Sequence, residues 1–127
     1  MNNKGFTLVE LIATIALLAV ISIISFVSIN EVIDSSKISE CNALVNSIKS
    51  ATKEYVSDNR YNNDFNVTNI NVNNLNLTSS LINPFTDEEL TNNDVKITVI
   101  LNDDYTAKKI IVKNSSNQEI NCDNKKW

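Results

Sequence analysis

The strongest pattern in the chain is a run of apolar positions near its start. Residues 11–29 carry only Thr14, Ser22, Ser25 and Ser28 as polar interruptions, and no charge falls between Glu10 and Glu31. About twenty residues at 1.5 Å rise cross a ~30 Å hydrocarbon core, so a helix here is long enough to span a bilayer. The run exceeds the apolar core of about 7–15 residues typical of a secretory signal. No Ala-x-Ala follows it before Glu31. The interrupting hydroxyls are read as packing features, since each can donate to a carbonyl of the preceding turn and small side chains let helices approach.

The pattern then changes without a breaker. Cys41, Leu44, Val45, Ile48, Ala51, Thr52 and Tyr55 recur at helical spacing, led by Val32, Ile33 and Ile38 and followed by Val56. Glu31, Asp34, Lys37, Glu40, Lys49, Lys53 and Glu54 decorate the other faces. One helix is therefore predicted from residue 6 to about 59, ending in the polar cluster 57–60. Its first half is apolar all round and suits lipid or the company of other apolar helices; its second half has one stripe and must pack against something of its own.

A sheet is the expected cover. Residues 94–101 alternate and are β-branched, Asn102-Asp103-Asp104 supplies a turn, 105–112 returns, and 114–117 turns again into 119–122. That predicts a three-stranded antiparallel meander over about 94–122. Residues 61–93 alternate only in bursts (Phe65/Val67, Ile70/Val72, Leu75/Leu77) whose phase slips. An irregular connector is expected there, with one short strand, a helical turn near 79–82, and a turn at Asn83-Pro84, because Pro84 disfavours helix at Asn83. The fold class is α+β: a long N-terminal helix, half membrane-suited and half amphipathic, packed on a small antiparallel meander.

Composition narrows the chemistry. Apart from Gly5, neither Gly nor Pro interrupts the first sixty residues, and Asn crowds 62–76 and 114–124. The formal charge of −4 repels nucleic acid and anionic lipid on average. The absence of His, with only two Cys far apart, removes most transition-metal and acid–base arrangements. Ser and Thr are plentiful, yet no nucleophile–base pair is visible, so neither an enzyme, a cofactor nor a metal site is expected.

The segment Lys4-Gly5-Phe6-Thr7-Leu8-Val9-Glu10-Leu11-Ile12 resembles the cleavage-and-methylation signal of type IV prepilins and the related pseudopilins. A basic residue, Gly, Phe, Thr-Leu and Glu all fall at that family's spacing. The likeness is close over about the first thirty residues and elsewhere concerns layout alone: long helix, loop, antiparallel strands, as in the pilin fold. An uncleaved signal anchor is the plainer alternative, but it leaves the positions of Gly5 and Glu10 without a reason. Many family members also have Pro or Gly in the membrane half; 19–27 has neither, which implies a straighter helix.

The resemblance implies cleavage between Gly5 and Phe6 by prepilin peptidase and N-methylation of Phe6. It divides the chain into a leader at 1–5, a transmembrane or filament-core half-helix at 6–29, and an extracytoplasmic pilin domain at 30–127, with helix over 30–59. Removing Lys4 takes the side-chain charge from −4 to −5. Phe6 and Glu10 become the assembly residues. Four residues apart, they would share a helical face, although in filaments of the family the Glu meets the Phe amine of a neighbouring subunit. A carboxylate at mid-membrane costs roughly 2.5–3.5 kcal/mol, somewhat less near an end, so pairing on assembly relieves that cost. Tip subunits commonly lack this Glu, so its presence places the chain in a shaft.

The function implied is that of a structural subunit of a type IV pilus, major or minor, serving adhesion, motility or surface interaction. The alternatives are a pseudopilin of a type II secretion or competence DNA-uptake system, and a monotopic anchored surface-binding protein. The implied partners are other pilin subunits in a homo- or heteropolymer, prepilin peptidase, the pilus assembly platform with its ATPase, and the membrane before assembly. The implied location is single-pass in the membrane, then an extracellular filament on the bacterial cell surface.

Cys41 on the helix stripe and Cys122 near the C-terminus form an even pair that can oxidise outside the membrane, or stay as two thiols in a reducing setting. Family members usually tether the C-terminal segment to the sheet, so this placement departs from theirs. Lys108, Lys109, Lys113, Lys125 and Lys126 gather near Trp127. A DNA contact is one reading; a solvated edge that blocks strand-to-strand aggregation, with Trp127 packed on the domain, is preferred. Asp87-Glu88-Glu89 and Asp103-Asp104 lack EF-hand spacing and read as turn solvation.

Overall fold

The computed structural model of the protein describes residues 5–62, 67–68, 70–78 and 80–127. The expectations that fall on 1–4 of the leader, on Phe65 and on Ser79 lie outside these residues. The elements are helix α1 (Leu8–Asn59), a 3-10 turn at Val72–Asn74, strands β1 (Lys96–Leu101) and β2 (Ala107–Lys113), and a 3-10 turn at Cys122–Asn124. The class is α+β, one long N-terminal helix with a small antiparallel sheet. The chain divides into two compact units, Met1–Ser36 and Lys37–Trp127.

In the first unit α1 exposes apolar side chains on every side. Ile15, Leu18, Ile21 and Ile24 are each more than half exposed. The helix is long and apolar enough to cross a membrane. Its hydroxyls are satisfied locally: Thr14 donates to the Leu11 carbonyl, Ser22 to Leu18, Ser25 to Ile21 and Ser28 to Ile24, at 2.7–3.2 Å. These groups ask nothing of lipid or of a neighbour, as their spacing suggests.

In the second unit the stripe of α1 is the core. Cys41, Val45, Ile48, Ala51, Thr52 and Val56 are buried, with Leu44 and Tyr55 half-buried beside them. Thr52 is polar, but its Oγ1 donates to the Ile48 carbonyl at 2.7 Å, so its burial leaves nothing unpaired. The stripe packs with Ile97 of β1, Val112 of β2, and Ile70, Val72, Leu75, Leu90 and Val95 of the connector and its exit. β1 and β2 pair antiparallel from Lys96↔Lys113 to Leu101↔Ala107, which turns Ile97/Val112 and Val99/Ile110 inward and Lys96/Lys113 and Ile100/Lys109 outward. A bulge between Ile100 and Leu101 leaves Lys108 without an opposite residue.

The structure corrects the expected architecture in three places. The sheet has two strands, and the third is reduced to one bridge, Lys113↔Glu119, with Ile120 N–H donating to the Val112 carbonyl. Cys122 is bonded to the helix, and Asn121 accepts the Asp123 N–H with its side chain, so the chain turns off the ladder. In the connector, the described part of 79–82 is not helical: Ile82 bridges Glu89, and Leu90 N–H donates to the Leu81 carbonyl across the turn at Asn83-Pro84. The helical turn lies earlier, at Val72–Asn74. Finally, α1 begins at Leu8, so Phe6 precedes it and does not share a helical face with Glu10.

Candidate processing and assembly site

The N-terminal site is built by a local device at the start of α1. Thr7 N–H donates to Glu10 Oε2 at 2.8 Å, and Glu10 N–H donates to Thr7 Oγ1 at 3.3 Å. This is a capping box: Thr7 is the N-cap, Glu10 the third helical residue, and each satisfies a backbone donor that the helix leaves orphaned. The Glu10 carboxylate thus lies at the positive end of the helix dipole. In sequence Glu10 stands out as a charge in an apolar stretch, and the Thr7-x-x-Glu10 spacing is the signal that carries the cap.

The cap decides where regular structure begins. Leu11 N–H donates to the Thr7 carbonyl at 3.2 Å, and Gly5, Phe6 and Thr7 stay outside the helix. Phe6 is 89% exposed, so its ring has no packing role within its own chain. The Gly5–Phe6 peptide bond is therefore non-helical and uncovered, as a proteolytic substrate must be.

Gly5 is the chain's single glycine, and the fold has no need of it. A Cβ added there would meet nothing within 4 Å, and its φ is not in the left-handed region. The left-handed positions are instead occupied by Asp87, Tyr105, Asn117 and Lys125, where glycine would relieve strain.

In the second unit the sulfurs of Cys41 and Cys122 are bonded, with their Cα atoms 5.7 Å apart across 81 residues of sequence. Both residues are buried, at 0% and 5% exposure. The bridge fastens the C-terminal segment to α1. Trp127 adds a second attachment: its Nε1–H donates to the Asp94 carbonyl at 3.3 Å, and its ring packs against the core. Trp127 is thus engaged by its own domain, not offered as a platform for a base.

The acidic turns are tied up by threonines. Asp94 Oδ2 accepts from the Thr91 hydroxyl at 2.7 Å and from its N–H at 2.9 Å. Asp104 Oδ1 accepts from the Thr106 hydroxyl at 2.6 Å and from its N–H at 3.1 Å. These hydrogen bonds, the hydroxyl's foremost, hold both carboxyls below the usual Asp value. Among the described residues no cluster of His, Cys, Asp and Glu is arranged to hold a metal ion.

Comparison with known protein families finds the prokaryotic N-terminal methylation motif over residues 1–26. It is the hallmark of type IV pilin and pseudopilin precursors, and it marks the chain as a pilin-like or pseudopilin substrate of prepilin peptidase. The motif belongs to structural, non-enzymatic proteins. No curated protein and no solved structure matches the chain significantly.

Proposed function

We propose that the chain is a structural subunit of a type IV pilus or kindred filament, cut between Gly5 and Phe6, N-methylated on Phe6, and assembled through the apolar half of α1. The observation that carries this reading is the place of the one glycine. A residue that the fold tolerates as anything, put where the chain is uncovered and two residues before the helix cap, answers to something outside the chain. A peptidase subsite too narrow for a side chain is such a requirement, and the N-terminal methylation motif matched over residues 1–26 supports it.

Exposed apolar surface on all sides of Leu8–Ile29 suits lipid first and neighbouring helices afterwards. The Glu10 carboxylate then pairs with the Phe6 amine of an adjacent subunit, which places this subunit in the filament shaft. The second unit is displayed on the cell surface and gives the filament its contacts with the surroundings.

Processing tests the reading directly. Peptide sequencing of the mature protein should return N-methyl-Phe6 as residue one. Gly5→Val should leave the second unit folded, because nothing crowds position 5, and yet leave the precursor uncut. A mature N-terminus elsewhere, or normal cutting of the Val variant, would overturn it.

A further inference from the structure

Two of the apolar points that the fold of the second unit leaves uncovered differ in the sign of their surroundings. Among its described residues, the exposed large hydrophobics are Tyr61, Ile82, Ile100 and Tyr105. Ile100 is 45% exposed on the outer face of the sheet. Lys109 stands directly opposite it, and Lys96 and Lys113 face each other further along the same surface. Neither strand contains an Asp or Glu; Glu119, bridged to Lys113, supplies the one carboxylate on that row.

Like charges directly opposite in a ladder are destabilising, and nothing in the packing requires Lys96 opposite Lys113. Lys96 donates its Nζ to the Ser115 backbone carbonyl at 3.2 Å.

Ile82 is 47% exposed and lines a groove of about 390 Å³ between α1 and the 80–87 turn. Glu40 and Asp87 line the groove, and Glu89 is bridged directly opposite Ile82. Ala43 and Ser47 also line the groove, and their small side chains leave room for an incoming residue. So an exposed isoleucine beside lysines, with the half-buried Ile111 on the same face, lies on one surface, and an exposed isoleucine beside carboxylates, with Leu44 and Pro84 near it, on another.

We infer that these two surfaces bind each other between copies of the chain: the Ile100–Lys109 face of one subunit docks on the Ile82–Glu89 groove of the next. Charge complementarity names the occupant, since lysines predominate on one patch and carboxylates on the other, and both keep an exposed apolar centre. Because the patches are different surfaces of one chain, the contact is head-to-tail and does not close on itself, which is the symmetry an open helical polymer requires. The inference rests on the filament reading and adds a second contact to that of the apolar helix.

Charge reversal on the full-length protein in its producing cell tests it. Lys109→Glu and Glu89→Lys each place like charges across the contact and should lower the subunit in the sheared surface fraction by about tenfold. The double variant restores opposite charges at every contact and should recover to within about twofold of wild type. In wild-type filaments, a carbodiimide should link Lys109 of one copy to Glu89, Asp87 or Glu40 of another, read by mass spectrometry of cross-linked peptides. Recovery together with the link supports the docking. Single variants that assemble normally, a double variant no better than either single, or a Lys109 link to another protein or an anionic polymer overturns it. A subunit whose N-terminus is methylated Phe6 but which shows no such link sinks the docking alone, whereas one never cut after Gly5 sinks the filament reading beneath it.

Discussion

Thr7 and Glu10 hold each other in place, the backbone N–H of each donating to the other's side-chain oxygen. Glu10 is therefore engaged inside its own chain before any partner arrives. A carboxylate accepts about four hydrogen bonds through two oxygens. With Oε2 on the Thr7 N–H, Oε1 has capacity for a neighbour's amine, so the cap need not break for subunits to pair. The cap also aims the carboxylate, limiting the positions from which an incoming amine can reach it.

This relationship makes Glu10→Gln an informative substitution. Gln serves as well as Glu at the third position of a capping box, so the helix start survives and only the charge is lost. The Gln variant should be inserted and cut normally, yet enter filaments poorly. Thr7→Val removes the accepting hydroxyl while keeping the branched shape, at about 0.5–2 kcal/mol of helix-start stability, and Thr7→Ser should restore it. Normal incorporation of the Gln variant, with cutting intact, would refute pairing through charge.

The core of the second unit rests on the helix stripe, and Ile48 is its centre at 0% exposure. Ile48→Asp buries a carboxylate without a partner, a cost of several kcal/mol, and should abolish the cooperative thermal transition. Ser47→Asp, one position away and exposed, should leave it nearly unchanged. Equal behaviour of the two variants in detergent-solubilised protein would show that the stripe faces elsewhere.

What could be read from sequence follows the length of each signal. The helix was legible because an apolar run and then a stripe at helical period follow each other for about fifty residues without Gly or Pro, and its end at Asn59 coincides with the polar cluster. The β1–β2 hairpin was legible because alternation brackets an Asn-Asp-Asp turn. The third strand failed because a tertiary bond overrides local alternation: Ile120 keeps one ladder bond before Cys122 draws the chain to α1. In the connector the irregular path and the turn at Asn83-Pro84 were legible, and the helical turn near 79–82 failed for a similar reason, since Leu90 N–H bonds the Leu81 carbonyl across that turn and no short window contains both. At the N-terminus the chemistry of Glu10 was visible as a misplaced charge, but its cap was hidden by the assumption that the helix starts at Phe6.

Loss of the Cys41–Cys122 bridge should destabilise the second unit far more than its C-terminal location suggests. Closing 81 residues of sequence removes unfolded-state entropy worth about 4–5 kcal/mol in the chain-entropy model. Cys41→Ala with Cys122→Ala should lower the thermal midpoint by more than about 15 °C, since 1 kcal/mol is worth about 4–8 °C in a domain of this size. Because both sulfurs are buried, wild-type protein should resist alkylation until it is both unfolded and reduced. Ready alkylation of both thiols in the native, unreduced protein would contradict this bridge.

The two threonine-bound carboxylates set a pH dependence with a definite sign. Hydrogen bonds from Thr91 hold Asp94 below its ordinary value, and those from Thr106 do the same for Asp104, with the Arg60 charge a minor aid to the second. A carboxyl depressed in the folded state contributes stability that is complete above its unfolded value and is lost as pH falls through the folded one. With an ordinary Asp value near 3.9, the contribution should persist from neutrality to about pH 5 and fade below about pH 4. Thr91→Val with Thr106→Val removes both hydroxyls but leaves the backbone donors, so part of the depression remains. The double variant should be less stable than wild type at neutral pH, and the gap should narrow in acid as the wild type loses what the variant never had. Both carboxylates are solvent-exposed, so the gap is small and is best read as a difference between two thermal-midpoint curves. Parallel curves from neutrality down through about pH 3 would show that these hydrogen bonds do not couple protonation to folding.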